Sequence, residues 1–94
     1  MAIRSYADKA TRELHVSGIC PAKWRAFAGV AIRKLDMING ATTLSFLSAP
    51  RGNRLEQLRG DRKGQYSIRI NQQCRICFRW IDKGAEAVEI VDYH

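Results

Sequence analysis

The sequence finishes with Asp92-Tyr93-His94, three side chains able to handle protons, directly after an apolar run typical of a β-strand. Histidine titrates near neutral pH, so it can act as an acid or as a base there. The neighbouring carboxylate and phenol add an acceptor and a donor of hydrogen bonds. Chain ends are usually frayed and chemically idle. This concentration of polar groups therefore predicts a role in proton transfer.

Positive charge is concentrated in the segment before this end. Positions 51 to 79 hold eight basic and two acidic residues, so six of the seven net positive charges fall in under a third of the chain. The basic residues are Arg51, Arg54, Arg59, Arg62, Lys63, Arg69, Arg75 and Arg79. Guanidinium groups bind phosphate oxygens in pairs. The segment favours a polyanionic partner, nucleic acid before an acidic protein, over a basic face that is merely solvated.

These residue types suit cleavage of RNA without a metal. The 2′-hydroxyl attacks the adjacent phosphate once a base removes its proton, a cation stabilises the phosphorane, and an acid protonates the leaving 5′-oxygen. The cationic candidates are Arg69 and Arg75, with Arg59 and Lys63 in a neighbouring turn. The candidates for proton transfer are Glu56, Asp92, Tyr93 and His94.

Length and composition set the remaining limits. A chain of 94 residues is expected to form one domain, residues 1–94. No apolar run approaches the roughly 18 residues that span a bilayer, and the N-terminus does not resemble a signal peptide, so we expect a cytoplasmic protein without a membrane segment. Cys74 and Cys77 have C-x-x-C spacing, but residues three apart in a strand point to opposite faces. We therefore expect buried thiols, with no metal and no cofactor.

Hydrophobic periodicity predicts the order β-α-α-β-β-β-β. The expected elements are a short strand at 3–5, helices at 8–16 and from Pro21 to Ile38, and strands at 54–58, 65–70, 75–81 and 87–91, with a helical turn at 42–47. Helices followed by strands indicate an α+β fold in which one face of an antiparallel sheet packs on the helices. Arg69, Arg75 and Arg79 should project together from the other face. Their mutual repulsion favours an anionic partner.

The run GNRLEQLRGDRKGQYSIRINQQCRICFRW, followed by VEIVDYH at the end, resembles the HigB group of toxins. These toxins belong to the RelE/ParE superfamily of bacterial toxin–antitoxin systems. The pattern that carries the resemblance is L-x-x-L-[KR]-G-[DN]-R-x-G-x-[YWH]-S-[IV], then W-R-[IL]-x-F, then a terminal DYH. It covers about half of the chain in a fixed order, and the composite is specific although each part alone is not.

The resemblance implies a cytoplasmic, ribosome-dependent mRNA endonuclease that inhibits translation. It implies a helix-turn-helix antitoxin of the HigA type, through which alone the toxin would reach operator DNA. The family's catalytic positions correspond to Arg59, Arg75, Asp92, Tyr93 and His94. Arg75 would hold the scissile phosphate, and the terminal residues would orient the nucleotide and move protons. The remaining basic residues of the segment are expected to bind RNA or the ribosome.

Two positions depart from the family pattern. Glu56 stands where better-known members have a histidine, and Cys74 replaces a tryptophan. A carboxylate is a weaker base than an imidazole unless its environment disfavours ionisation, so either the nuclease is milder or the base role moves to His94. The first alternative function is a module that binds RNA or the ribosome without cleavage. The second is inhibition of DNA gyrase, since ParE proteins share the superfamily fold, but such inhibition needs no proton-transfer set.

Overall fold

The protein combines two N-terminal helical segments with a four-stranded antiparallel sheet, in a computed structural model that describes residues 2–92. The first segment is helix α1, Lys9–Arg12, which continues as a π-helical turn, Glu13–Ser17. Asp8 caps it, because its Oδ1 accepts a hydrogen bond from the backbone N–H of Thr11 at 2.8 Å. Gly18 then ends the segment in the left-handed conformation, with φ 72°.

The second helical segment begins with a 3₁₀ stretch, Ala22–Phe27, and continues as helix α2, Ala28–Gly40. Two further 3₁₀ turns, Leu44–Ser48 and Arg51–Asn53, lead from this helix into the sheet. Both predicted helices are therefore present. No helix within residues 2–92 is long and apolar enough to cross a bilayer.

The sheet consists of β1 (Glu56–Gln57), β2 (Gln65–Arg69), β3 (Cys74–Ile81) and β4 (Gly84–Asp92), in that spatial order. A 3₁₀ turn, Gly60–Arg62, lies between the first two strands. Each strand pairs antiparallel with its neighbour, and residues directly opposite share a face. The pairs Ser67–Cys77 and Arg69–Arg75 lie on one face, whereas Ile68–Ile76 lies on the other.

The core fills the space between the sheet and the helices. Its fully buried large side chains come from both layers: Leu14, Leu35, Ile38 and Leu47 from the helical half, and Ile68, Ile76, Phe78 and Val88 from the strands. This arrangement confirms the predicted α+β fold. It also leaves the face that carries Arg69 and Arg75 directed away from the helices.

The N-terminal segment covers the β4 edge of the sheet. Ile3 forms an isolated parallel bridge with Ala85, and Tyr6 forms one with Val88. The hydroxyl of Ser5 accepts a hydrogen bond from the N–H of Ala87 at 2.9 Å, where β4 carries a positive φ of 53°. The expected opening strand at 3–5 is therefore reduced to an isolated bridge at Ile3, followed by a second bridge at Tyr6. At the β4 bulge, the N–H of Ala87 bonds to the side chain of Ser5 and not to its backbone.

Two strand predictions were wrong in extent. The strand predicted at 54–58 contracts to Glu56–Gln57, because Arg54 adopts a left-handed conformation with φ 44° and cannot continue a strand. The last strand begins at Gly84 instead of at 87, because residues 84 to 86 already pair with β3. The pairing of β3 with β4 shifts register between Cys77 and Arg79, where β4 forms a bulge. This bulge interrupts the alternating sequence pattern, so the pattern did not predict the pairing of residues 84 to 86.

Candidate active site

Arg75 lies on the sheet face directed away from the helices, and three acceptors hold its guanidinium. Nε donates to Ser67 Oγ at 2.7 Å, Nη2 donates to the carbonyl oxygen of Arg54 at 2.6 Å, and Nη1 is 3.0 Å from Glu56 Oε1. The Arg75 side chain is only 13% exposed. A guanidinium has five N–H donors, and these contacts occupy three of them. The arginine is fixed in place before any ligand arrives.

The carbonyl of Arg54 is held in position by the buried residue that precedes it. Asn53 Nδ2 donates to the carbonyl oxygen of Leu47 at 2.9 Å and contacts Met37 Sδ at 3.1 Å, and Asn53 Oδ1 accepts from Lys34 Nζ. Desolvation by burial, followed by repulsion from a neighbouring arginine, lowers the pKa of Lys34. The loop that presents Arg54 to Arg75 is thus attached to helix α2 by side-chain hydrogen bonds.

A cationic cavity of about 420 Å³ opens beside this arginine. Its lining consists of three arginines and two amides: Arg54, Arg69, Asn71, Gln72 and Arg75. Asn71 Oδ1 accepts from the N–H groups of Gln73 and Cys74 at 2.8 and 2.7 Å, which fixes the turn between β2 and β3. Arg69 Nε donates to the carbonyl oxygen of Asn71 at 3.0 Å. Among residues 2–92, no acidic residue lines the cavity, so its chemistry suits an anion such as phosphate.

The basic turn between β1 and β2 lies at the opposite end of β2 from Arg69. Arg59 and Lys63 line a second cavity of about 430 Å³, together with Gln57, Leu58 and Gly60. Arg62, in contrast, forms an ion pair with Glu89 at 2.7 Å and a hydrogen bond with Gln65 at 3.0 Å. The structure therefore places two of the three basic residues of this turn at an open surface and attaches the third to the sheet.

The other basic candidates are spread more widely than the sequence pattern indicated. Arg79 shares the sheet face of Arg75 but pairs with Gln65 and Glu86, next to Gly64. Ser67 and Cys77, both fully buried, lie between Arg79 and the pair formed by Arg69 and Arg75. Arg51 is exposed in the 3₁₀ turn Arg51–Asn53.

The prediction that Arg69, Arg75 and Arg79 project as one group is therefore confirmed for Arg69 and Arg75 but not for Arg79.

Asp92 lies on the opposite face of the sheet from Arg75. It pairs with Cys74, whereas Arg75 pairs with Val91, and neighbouring positions in a strand alternate between faces. Asp92 lines a cavity of about 460 Å³ between the sheet and the helices, alongside Trp24 and Phe27. Burial, reinforced by the negative charge of Asp92, raises the pKa of the Cys74 thiol. Tyr93 and His94, the other two terminal candidates, lie outside the described residues.

Both cysteines of the C-x-x-C motif are buried, and Cys20 is half-buried. Cys74 and Cys77 lie on opposite faces of β3, as the strand pattern predicted. No group of three or more histidine, cysteine or acidic residues in the described part of the chain has a geometry that could hold a metal ion.

Sequence reasoning missed the groups that orient Arg75. Ser67 was part of the family pattern, but its role depends on a strand register that places it beside Arg75. Asn53 follows a glycine in a loop, and nothing in the sequence indicated that it is buried.

A separate hydrogen-bond network joins Tyr6 to His15 Nδ1 at 2.6 Å and His15 Nε2 to Asp36 at 2.7 Å. His15 is thus hydrogen-bonded within the helical half of the protein.

Over residues 6–94, the sequence matches the model of a family described as RelE-like toxin of type II toxin-antitoxin system HigB. It is 48% identical over 50 residues to Toxin HigB-1 of Vibrio cholerae, a match that covers 53% of each chain. It is 39% identical over 51 residues to an uncharacterized protein of Haemophilus influenzae, covering 54% of this chain and 50% of that protein. The chain thus spans about half the length of the curated relatives it matches.

The fold also resembles two solved structures from Staphylococcus aureus, a YoeB–YefM complex and a heterotetrameric YoeB–YefM toxin–antitoxin complex. Each superposes with a TM-score of 0.57 at 15% identity, covering 100% of this chain and 99% of the other. At this identity the likeness concerns the fold alone. It agrees with the α+β arrangement of two helical segments and a four-stranded antiparallel sheet.

Proposed function

Because this chain belongs to the RelE-like HigB toxin family of type II toxin–antitoxin systems, we propose that it is a ribosome-dependent endoribonuclease that cleaves translated mRNA. The observation that carries this proposal is the fixed guanidinium of Arg75 beside a cavity lined by two further arginines. A phosphorane carries more negative charge than the phosphate from which it forms. Cations that are already oriented stabilise this charge without reorganisation.

In the proposed reaction, the 2′-hydroxyl of the RNA attacks the adjacent phosphate and the 5′-oxygen leaves with a proton. Arg75 and Arg69 bind the scissile phosphate, and Arg54 extends the cationic lining. Arg59 and Lys63 bind the RNA backbone at the second cavity. The scheme uses no metal and no cofactor.

Proton transfer is assigned to the terminal residues Tyr93 and His94, because Asp92 lies on the sheet face opposite Arg75. Glu56 remains in the site, but its carboxylate is paired with Arg75 at 3.0 Å. A carboxylate that neutralises the phosphate-binding cation is poorly placed to receive a proton from the 2′-hydroxyl at the same time. The base role therefore moves towards His94. The pairing of Glu56 is also the observation that favours the second candidate function, binding of RNA or the ribosome without cleavage.

The remaining basic residues are assigned to RNA or ribosome contacts outside the reacting phosphate. Arg51 and Arg79 are exposed, whereas Arg62 is ion-paired with Glu89 and contributes through the shape of the basic turn.

The partner that neutralises the toxin is a helix-turn-helix antitoxin of the HigA type, which also carries it to operator DNA. The site of action is the cytoplasm, where translating ribosomes are found.

Primer extension on a translated message, after induction of the wild type and of variants, tests this proposal. We expect mapped cuts with the wild type, strongly reduced cuts with Arg75→Ala and His94→Ala, and wild-type cuts with Arg33→Ala, an exposed arginine of helix α2. Equal cleavage by wild type and His94→Ala would remove the terminal histidine from the mechanism.

Two other outcomes would support the alternative functions. Stalled translation with intact message would support the non-cleaving module, and a DNA damage response with normal translation would support gyrase inhibition.

A further inference from the structure

The three groups that hold Arg75 differ in charge and in freedom to move. Ser67 is fully buried, and the Arg54 acceptor is a main-chain carbonyl, so both are neutral and fixed. Glu56 is charged, and its side chain is 57% exposed. Because it has water on one side, Glu56 can turn away from the guanidinium without leaving a buried polar group unpaired. Of the three acceptors, Glu56 is the one that can leave.

Glu56 holds Nη1 of Arg75, one of the two terminal nitrogens that a phosphate bound in a bidentate manner would use. It lies on the two-residue strand β1 at the sheet edge, directly opposite Ser67, so the two residues flank the same guanidinium. Carboxylate and phosphate oxygens bind a guanidinium with the same geometry, so they compete for Arg75. Arg75 also lines the cavity that contains Arg54 and Arg69, so an anion in this cavity lies beside three arginines.

We propose that Glu56 is a resident counter-ion of Arg75 that the RNA phosphate displaces, and that it thereby sets the affinity of the site for RNA. The proposal rests on the proposed function, because it takes RNA to be the ligand. In the free protein Glu56 neutralises Arg75, which would otherwise be a nearly buried cation beside two others. In the complex, Ser67 and Arg54 keep Arg75 oriented while the phosphate takes over the contact of Glu56.

Binding of a fluorescent, fully 2′-O-methylated RNA oligonucleotide, which cannot be cleaved, tests this displacement. Glu56→Gln keeps the size and shape of the side chain and removes its charge. At low salt we expect this variant to bind about fivefold more tightly than the wild type, since an exposed ion pair contributes up to about that factor. The gain should shrink as salt rises. Asp36→Asn is the matched control, because Asp36 is similarly exposed, is bonded to His15 at 2.7 Å in the helical half and lies outside the cavity.

Each outcome separates the inference from the function beneath it. Tighter binding by Glu56→Gln alone supports displacement, whereas equal affinities of the two variants, or weaker binding by Glu56→Gln, overturn it and leave RNA binding intact. If the folded wild type does not bind the oligonucleotide even at low salt, RNA does not displace Glu56 and the inference fails, whereas the proposed function is decided separately by primer extension on a translated message. Should Glu56→Gln not fold, carbon NMR of the wild type decides. The Glu56 carboxyl resonance must move when RNA is added, and a fixed resonance alongside a shifted Arg75 Nε–H would overturn displacement.

Discussion

Arg75 Nη2 donates a hydrogen bond to the carbonyl oxygen of Arg54 at 2.6 Å, although the two residues are 21 positions apart in the sequence. The bond joins the third strand of the sheet to a loop that helix α2 supports through Asn53. The left-handed conformation of Arg54, with φ 44°, directs this carbonyl at the guanidinium. The position of the Arg75 guanidinium therefore depends on Asn53, a residue outside the lining of the cavity.

Replacement of Asn53 by alanine should both destabilise the protein and misplace Arg75. The variant leaves the carbonyl of Leu47 and the ammonium of Lys34 without their buried partner. We expect unfolding in urea to show a loss of about 3 kcal/mol. Cleavage, measured well below the melting temperature, should fall further than the fraction of unfolded protein explains.

Leu14→Ala is the matched control for this loss of stability. Leu14 is 1% exposed and lies in the π-helical turn, away from the Arg54 loop. Truncation of a buried leucine costs a similar amount, about 3 kcal/mol, without altering that loop. If both variants cleave equally at equal folded fraction, Asn53 contributes to stability alone.

Ser67→Ala should reduce cleavage while leaving the fold intact. The substitution removes the hydroxyl that accepts from Arg75 Nε at 2.7 Å, in a fully buried position. A hydrogen bond to a charged group contributes about 1.5–3 kcal/mol, so we expect at least a roughly tenfold lower cleavage rate. Ser48→Ala, which removes an exposed hydroxyl bonded to a local carbonyl, should behave as the wild type. Wild-type cleavage by Ser67→Ala would show that this bond does not orient the guanidinium.

Much of the fold was predictable because the periodicity of the apolar residues is strong where the structure is regular. The alternation through β2 and β3 fixed the strands, their faces and the opposition of Cys74 to Cys77. The ends of strands were less predictable, because Arg54 and Ala87 adopt positive φ, which their residue types do not signal. The site followed the same division. Arg75 was evident from residue type, whereas Asn53 and Ser67 depend on tertiary contacts.

The sheet register also decides which face of the sheet Asp92 occupies. Asp92 lies on the strand next to Arg75, but it faces the helices. Residues on neighbouring strands can still lie on different faces, because a shift of one residue in register moves a side chain to the other face. A predicted strand whose end is wrong by one residue therefore does not determine the face until the pairing is known.

Burial of Cys74 should make stability fall in alkaline solution. The pKa of its thiol is raised from the ordinary value of 9.0, first by desolvation and then by Asp92. The folded state therefore holds its proton to higher pH than the unfolded state does, so this contribution is fully present below about pH 9 and is lost as pH rises through the folded value. Urea denaturation from about pH 8 to pH 11 should show a steeper decline for the wild type than for Cys74→Ser, which cannot titrate in this range.

Other groups titrate in the same window, and the comparison of two proteins removes them. Burial raises the pKa of Tyr6, which has the same sign, whereas desolvation lowers the pKa of Lys34, which has the opposite sign. Both residues are unchanged in Cys74→Ser, so their effects cancel in the difference between the two curves. Parallel curves for the two proteins would contradict the burial of a protonated thiol at this position.

The two arginines that flank Arg75 on its sheet face should differ in their effect on RNA binding. Arg69 lines the cavity, whereas Arg79 lies beyond the buried pair of Ser67 and Cys77, beside Gly64. Each phosphate contact adds about 0.7 to the slope of log affinity against log salt for a single strand. We expect Arg69→Gln to reduce this slope by about that amount and Arg79→Gln to leave it nearly unchanged, as measured by titration of the methylated oligonucleotide at several salt concentrations. Equal reductions by both variants would mean that the RNA follows the whole sheet face and that the cavity is not its principal phosphate site.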